Sequence, residues 1–175
     1  MLITEKTLIL LNQMVTDKVI ERYAIGGAIA AAFYIEPTQT YDLDVFLVFP
    51  MPKSGLISIS PIYSYLMQRG YQPEGESIKI EGWPVQFLPV FNPLTEEALA
   101  NAVEVTLGVT KTYVFSAEYL AAIMLFTGRP KDHIRLIQFF ETEVLEQAKL
   151  MDIIARHSLT AKWHTFQRRF LNKSE

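Results

Sequence analysis

Residues 23–33 read YAIGGAIAAAF and residues 40–49 read TYDLDVFLVF, and together these two stretches decide the fold. The first begins with a short apolar run, turns at Gly26-Gly27, and continues into small residues that suit a helix from Ala28 to about Tyr34, closed by Pro37. The second is rich in Val, Leu and Phe, opens with Asp42 and Asp44 and stops at Pro50, so it predicts a buried strand with acids at its start. Strand, glycine turn, helix and acid-led strand indicate an α/β (α+β) chain. The rest of the sequence is compatible with that class.

Upstream, Leu8, Leu11, Val15 and Val19 recur at helical spacing, which predicts an amphipathic helix over residues 4–20 capped by Thr4. Downstream, residues 61–69 predict a helix with Pro61 early and Gly70 beyond its end. A hairpin follows, 77–80 against 83–87 around Glu81-Gly82. With a two-residue turn, Ile80 faces Trp83, Ile78 faces Val85 and Ser77 faces Gln86. A short helix near 95–101 and extended pieces at 103–107 and 112–115 complete an α/β core over residues 1–115. Residues 116–175 read as a helical region packed on it in one compact domain. There, Ser116 can cap 117–126, Gly128 ends that helix and Pro130 opens another, with Ile134, Ile137, Phe140 and Val144 on one face. Leu159, Trp163, Phe166 and Phe170 form the stripe of a last helix, with Lys162, Arg168, Arg169 and Lys173 outside it. Core packing accounts for the stripe, and a solvated face or a weak RNA-facing role accounts for the charges.

The 175 residues carry 16 Lys+Arg against 19 Asp+Glu, a net charge of −3, with half the residues apolar. That is a globular composition and argues against a surface that coats DNA. The absence of cysteine removes thiolate metal sites and cysteine nucleophiles. The longest uncharged run, residues 23–35, is too short to span a bilayer, and the start lacks a basic leader, so a cytoplasmic protein without a membrane partner is the expectation. His133, His157 and His164 include no i,i+4 pair, and no GxSxG elbow or Walker motif is present.

Acids at i and i+2 on a strand project from one face with Cα atoms about 6.5 Å apart, so Asp42 and Asp44 can reach shared hard cations. Magnesium suits such an oxygen-only site and completes its shell with substrate phosphates. The glycine pair lets backbone N–H groups approach a triphosphate. Each half also has a plain structural explanation. The glycines could simply let the alanines that follow pack on the sheet, and the aspartates could only solvate a strand end.

In this order and spacing, the two stretches, with GWPVQFLPV at 82–90 and EYLAAIMLFTGRPKD at 118–132, resemble the nucleotidyltransferase fold of the DNA polymerase beta superfamily, and within it the minimal AbiEii-type toxin enzymes. The resemblance covers about residues 20–140 and implies a mixed β-sheet flanked by helices with a C-terminal helical extension. It implies that Gly26, Gly27 and Ala28 cradle the triphosphate of an NTP and that Asp42 and Asp44 bind Mg²⁺. It further implies an RNA or protein acceptor and an antitoxin partner. In such enzymes two ions about 3.5 to 4 Å apart clamp the attacking and leaving oxygens.

The sequence departs from that pattern at four positions. Gln86 stands where a third carboxylate is usual, and an amide has no charge and cannot act as a base. Ala28 replaces a common serine, Met124 a common lysine, and Arg135 an acid three residues after Asp132. Arg129 and Lys131 persist as candidates to touch triphosphate, the alternative being helix-start charges paired on the surface, such as Asp132 with Arg135. An Mg-dependent nucleotidyltransferase is therefore the leading reading. A silent relative that binds nucleotide or a protein partner without turnover is its rival, and an interaction domain is a third.

Overall fold

The computed structural model describes residues 5–50 and 58–171. Thr4 and Lys173, named above as a cap and a surface charge, lie outside them. The chain opens with helix α1 (Glu5–Thr16), strand β1 (Arg22–Ile25), the short helix α2 (Gly27–Ala31) and strand β2 (Leu43–Val48). Helix α3 (Ser60–Met67) leads into β3 (Pro73–Glu74), β4 (Ser77–Ile80) and β5 (Trp83–Pro89). Helix α4 (Pro93–Ala100), β6 (Val103–Leu107) and β7 (Thr110–Val114) follow. The remainder is helical: α5 (Ala117–Thr127), α6 (Pro130–Glu141), α7 (Gln147–Arg156) and α8 (Thr160–Phe166), which runs into a π-helical turn at Gln167–Leu171. None of the described helices is long and apolar enough to cross a membrane.

The strands form one mixed sheet in the order β3-β4-β5-β2-β1-β7-β6. β2 lies at its centre, antiparallel to β1 and parallel to β5. Burial alternates along it: Leu43, Val45 and Leu47 are fully buried, while Asp44, Phe46 and Val48 face a partly covered side. Each buried aliphatic contributes roughly 1.5–3 kcal/mol, so the strand's apolar residues fix its register and, with it, the face on which Asp44 stands. The hairpin register expected from the two-residue turn is observed, with Ile78 opposite Val85 and Ile80 opposite Trp83. Ser77 instead ends the strand paired with Glu74 of β3.

The glycine turn is held tightly against β2. The Gly26 N–H donates to the Asp44 carbonyl at 2.9 Å. A Cβ at Gly26 would lie 2.5 Å from the Phe46 ring, whose centroid is itself 4.8 Å from that of Phe115. Gly27 has φ +59°, and a Cβ there would come within 2.1 Å of Asp44 Oδ2. The expected helix after the turn is short, ending at Ala31 and passing into turns as far as Ile35.

Three helix boundaries differ from expectation for one reason. α1 stops at Thr16 instead of residue 20, α6 stops at Glu141, and the single last helix expected from residue 159 is preceded by a separate α7. Lys18, Glu143 and Ser158, just beyond three helix ends, take positive φ of 57°, 55° and 57°. Such left-handed positions usually carry glycine, so these reversals have no signature in the sequence. Ser116 precedes α5 as expected but makes no side-chain cap; its hydroxyl donates to Glu118 at 2.9 Å instead. Gly128 ends α5 in the left-handed conformation with its N–H on the Met124 carbonyl, and Pro130 begins α6.

The face of α6 is also corrected. Its fully covered positions are Asp132, Arg135, Leu136 and Phe139, and Ile134 is 60% exposed. Ile137, Phe140 and Val144 of the expected stripe are partly buried against the core, so the departure is Ile134 together with the burial of the charged Asp132 and Arg135. The stripe of α8 is as expected, with Leu159, Trp163 and Phe166 buried and Phe140 stacked on Trp163 at 5.3 Å.

One acid joins the sheet side of the molecule to the helices. Glu97 of α4 accepts from the Tyr119 hydroxyl at 2.6 Å, from Arg156 Nη1 at 2.8 Å, and from His157 Nε2 at 2.8 Å when that nitrogen carries the proton. The Arg156 hydrogen bond, followed by that of Tyr119, holds the Glu97 carboxyl at about 2 instead of the usual 4.5.

Two expectations follow. Because the folded-state value of Glu97 is depressed, its contribution is fully present above about pH 4.5 and is lost as pH falls toward about 2; Glu97→Gln should flatten the pH dependence of chemical denaturation across that window. Gly27→Ala should destabilise by roughly 1–3 kcal/mol from backbone strain and more from the clash. Gly75→Ala, also at positive φ but with nothing near, should show the strain alone. In an Asp44→Ala background the extra cost at Gly27 should disappear, which a denaturation double-mutant cycle measures.

Candidate active site

β2, α2, α5 and the start of α6 converge on a narrow cleft. Its lining includes Asp42 and Asp44 from β2 and the residue just before it, Gly27 and Ala28 from the glycine turn, and Thr40 from the loop between them. Leu120, Ile123, Met124 and Thr127 form the α5 wall, and Arg129, Lys131, Asp132 and Arg135 the α6 wall. The space is about 40 Å³, room for roughly three water-sized groups. An ion or a phosphoryl group fits at the bottom. A nucleoside would have to extend out through the mouth.

The acidic wall is built by strand geometry. Asp42 and Asp44 lie two residues apart and both line the cleft. The Thr40 hydroxyl donates to the Asp42 carbonyl at 3.2 Å and approaches Asp42 Oδ1 at 3.4 Å, tying the loop to the carboxylate it precedes. Asp44 is the more enclosed acid. Burial pushes its carboxyl above the ordinary value and the Asp42 charge adds to the effect, against the pull of Arg129, Lys131 and Arg135. Asp44 is therefore an anion held at a cost, and a cation between the two acids would offset it.

The basic wall is built around Asp132. This acid is almost fully buried at the start of α6, where it accepts from the Thr127 hydroxyl at 2.7 Å, from Arg129 Nε at 2.7 Å and from Arg129 Nη2 at 3.2 Å. It also takes the Arg129 backbone N–H at 3.3 Å, the N-terminal capping interaction of the helix. Burial pushes the Asp132 carboxyl up, but these donors outweigh it and hold the group below its usual range. Arg129 is thereby committed to Asp132. The expected surface pair of Asp132 with Arg135 is instead a buried, longer contact of 3.9 Å, since the bidentate Arg129 already satisfies the acid.

Of the residues singled out in the sequence, Asp42, Asp44, Gly27, Ala28, Arg129 and Lys131 meet in this cleft. Gly26 does not line it, because its N–H is spent on the Asp44 carbonyl and its α-carbon is packed against Phe46. Gln86 is directly opposite Asp44 in the parallel β2–β5 pairing but does not line the cleft either. Among the described residues no three His, Cys, Asp or Glu side chains cluster closely enough to hold a metal. The donor set is two carboxylates, with the Thr40 hydroxyl beside one of them. Met124 leaves the α5 wall apolar where a lysine was expected from the resemblance, and the cations come from α6. Thr40 and Asp132 were not foreseen as site residues. Only the adjacency of Thr40 to Asp42, and of Asp132 to the Arg-Pro-Lys run, signalled them.

No protein-family model matches the chain, and no curated protein does. Solved structures do. An antigenic nucleotidyltransferase-like protein from Paracoccidioides brasiliensis superposes with a TM-score of 0.58 at 13% identity, over 91% of this chain and 92% of its own. The antibiotic-resistance factor ANT(2'')-Ia, as a solution structure, gives a TM-score of 0.54 at 14% identity, covering 97% of this chain and all of that one. A crystal structure of ANT(2'')-Ia in complex with adenylyl-2''-tobramycin gives 0.54 at 14% identity over 92% and 99%. At these identities what is shared is the architecture: the chain has a nucleotidyltransferase-like fold, a mixed sheet flanked by helices.

Proposed function

We propose that this protein is an Mg²⁺-dependent nucleotidyltransferase that moves a nucleotide from an NTP to an acceptor hydroxyl. The observation that carries the reading is the facing of two walls. Asp42 and Asp44 stand against the Gly27-Ala28 backbone on one side, and Arg129, Lys131 and Arg135 stand on the other. An anion that brings its own divalent cation satisfies both walls at once.

The donors present fit such an ion. Magnesium is commonly held by one or two carboxylates together with substrate phosphates, and the raised affinity of Asp44 for a proton marks a charge that a cation would stabilise. When bound there, it would polarise the α-phosphate and favour the attacking oxygen. The chain's own residues do the rest. Gly27 presents backbone without a side chain at the cleft floor, Lys131 supplies a mobile positive charge, and Arg129 keeps Asp132 neutralised so that it does not repel phosphate. The acceptor oxygen forms a bond to the α-phosphorus and gives up its proton to solvent, while the bond from that phosphorus to the oxygen bridging to the β-phosphorus breaks and pyrophosphate leaves. Positioning and charge carry most of the catalysis in such displacements.

The resemblance of the sequence motifs is what supports an RNA or protein acceptor, a toxin-type role and an antitoxin partner. A fold neighbour solved with an adenylylated aminoglycoside makes tobramycin a sensible small acceptor to include in an assay. A second reading, binding of nucleotide or of a protein partner without turnover, is favoured by one specific observation: the strand position beside Asp44 carries Gln86, not a third acid.

Label transfer or pyrophosphate release from NTP with Mg²⁺ tests the reading. Asp42→Ala and Asp44→Asn should each reduce it about 10²-fold or more, while Asp44→Asn, by removing a buried charge, should raise the melting temperature. A lower melting temperature in Asp44→Asn would show that Asp44 is a structural acid. If Mg-NTP raises the wild-type melting temperature by mass action but no acceptor is labelled, the silent reading replaces the enzyme. Gln86→Asp puts an acid beside Asp44 although residue 86 does not line the cleft; it should tighten Mg²⁺ binding measured calorimetrically by less than Asp44→Asn weakens it, and unchanged affinity would remove Gln86 from the metal's surroundings.

A further inference from the structure

Arg135 is the anomalous residue of the cleft. Its side chain is 9% exposed, yet its hydrogen bonding is nearly empty. Nε donates to the Thr38 hydroxyl at 3.1 Å, and Nη1 lies 3.9 Å from Asp132 Oδ1, beyond hydrogen-bond distance. Among the described residues no hydrogen bond reaches either Nη atom. A guanidinium has five donors in a rigid fork, and neither Nη atom is fully enclosed, so the unpaired edge opens on the water of the cleft. Burial draws its pKa down, against the opposing attraction of Asp132, Asp44 and Asp42.

Two features keep its fork free and point it into the cleft. Asp132, the nearest acid, is saturated by Arg129 and Thr127. The Thr38 bond then anchors Nε, leaving the Nη edge for whatever enters beside Asp44 and Lys131. Asp42 and Asp44 are counter-charges for Arg135, but neither is in hydrogen-bond contact with it.

We propose that Arg135 is the buried phosphate-binding residue of this cleft, holding the nucleotide's polyphosphate through Nη1 and Nη2, and that Arg129 is a positioning residue that keeps Asp132 from capturing that fork. The inference rests on the nucleotide reading of the cleft and deepens it, because it transfers the phosphate contact from Arg129 to a position where the sequence motif would have an acid. Fork geometry matches two phosphate oxygens at once, which a lysine cannot reproduce.

The test is calorimetric binding of pyrophosphate, the product the proposed reaction releases, to the full chain in chelator, with Mg-ATP binding measured alongside. Arg135→Gln should weaken pyrophosphate about tenfold or more, and Arg135→Lys should also weaken it several-fold although the charge is kept. Thr38→Val, which removes the anchor on Nε but keeps the fork, should weaken pyrophosphate less than Arg135→Gln does. Pyrophosphate binding that Arg135→Gln leaves unchanged overturns the assignment while the nucleotide reading stands, as does a wild type that binds Mg-ATP but not pyrophosphate. A wild type that binds neither overturns both. Should Arg135→Gln fail to fold, judged by its melting curve, Arg135→Lys decides: unchanged affinity overturns the fork contact.

Discussion

The carboxylate of Asp44 fills the space that a side chain on Gly27 would need, and the geometry of the cleft depends on that exclusion. A Cβ there would meet Oδ2 at 2.1 Å, so the close approach of helix-start backbone to strand acid exists only because residue 27 is glycine. The same approach lets the Gly26 N–H bond the Asp44 carbonyl and lets Phe46 pack over Gly26 against Phe115. Packing and site are thus one structure. The explanation in which the glycines merely permit tight packing is correct for Gly26, and for Gly27 it is inseparable from the placement of an acid in the cleft.

The opposite wall follows a different logic. No apolar stripe positions it; the buried surface of α6 near the cleft is Asp132 and Arg135, held by charge complementarity and by the capping of the helix start. Buried ion pairs return little net stability, so this arrangement is poorly explained as a device for folding. It is well explained as a fixed array of donors. Asp132 orders Arg129, Arg129 neutralises Asp132, and the neighbouring guanidinium is left with an open edge.

The sequence made the strand-glycine-helix-strand unit readable because each piece has a strong local cause: β-branched and aromatic residues in β2, glycine at the turn, a two-residue hairpin loop that sets Ile78 against Val85. The end of α5 was equally readable from Gly128 and Pro130. What could not be read arose from long-range or unmarked causes. The positive φ of Lys18, Glu143 and Ser158 breaks helices without a glycine to announce it. On α6, Ile137 and Phe140 pack on the core as their spacing implies, but apolar periodicity assumes that charges point outward, whereas Asp132 and Arg135 are buried and Ile134 is exposed. Of the site, the acid pair and the Gly27-Ala28 backbone were legible by spacing. The division of labour between Arg129 and Arg135 was not, since it depends on which guanidinium reaches Asp132 in three dimensions.

The departures at Gln86 and Arg135 acquire a joint meaning from this charge arrangement. The cleft holds three carboxylates, Asp42, Asp44 and Asp132, and three cations, Arg129, Lys131 and Arg135. One of each cancels internally as the Arg129–Asp132 pair, leaving two acids that face two bases. A neutral Gln86 beside Asp44 and a guanidinium at Arg135, each at a position where the pattern the sequence resembles would have an acid, both point in one direction, toward fewer negative and more positive fixed charges. Two acids facing two bases leave the cleft near charge balance, with positive charge for an entering anion already covalently in place and preorganised. The neutral Gln86 and the cationic Arg135 are then complementary in one electrostatic sense, and a neutral residue at position 86 does not by itself decide what the cleft can hold.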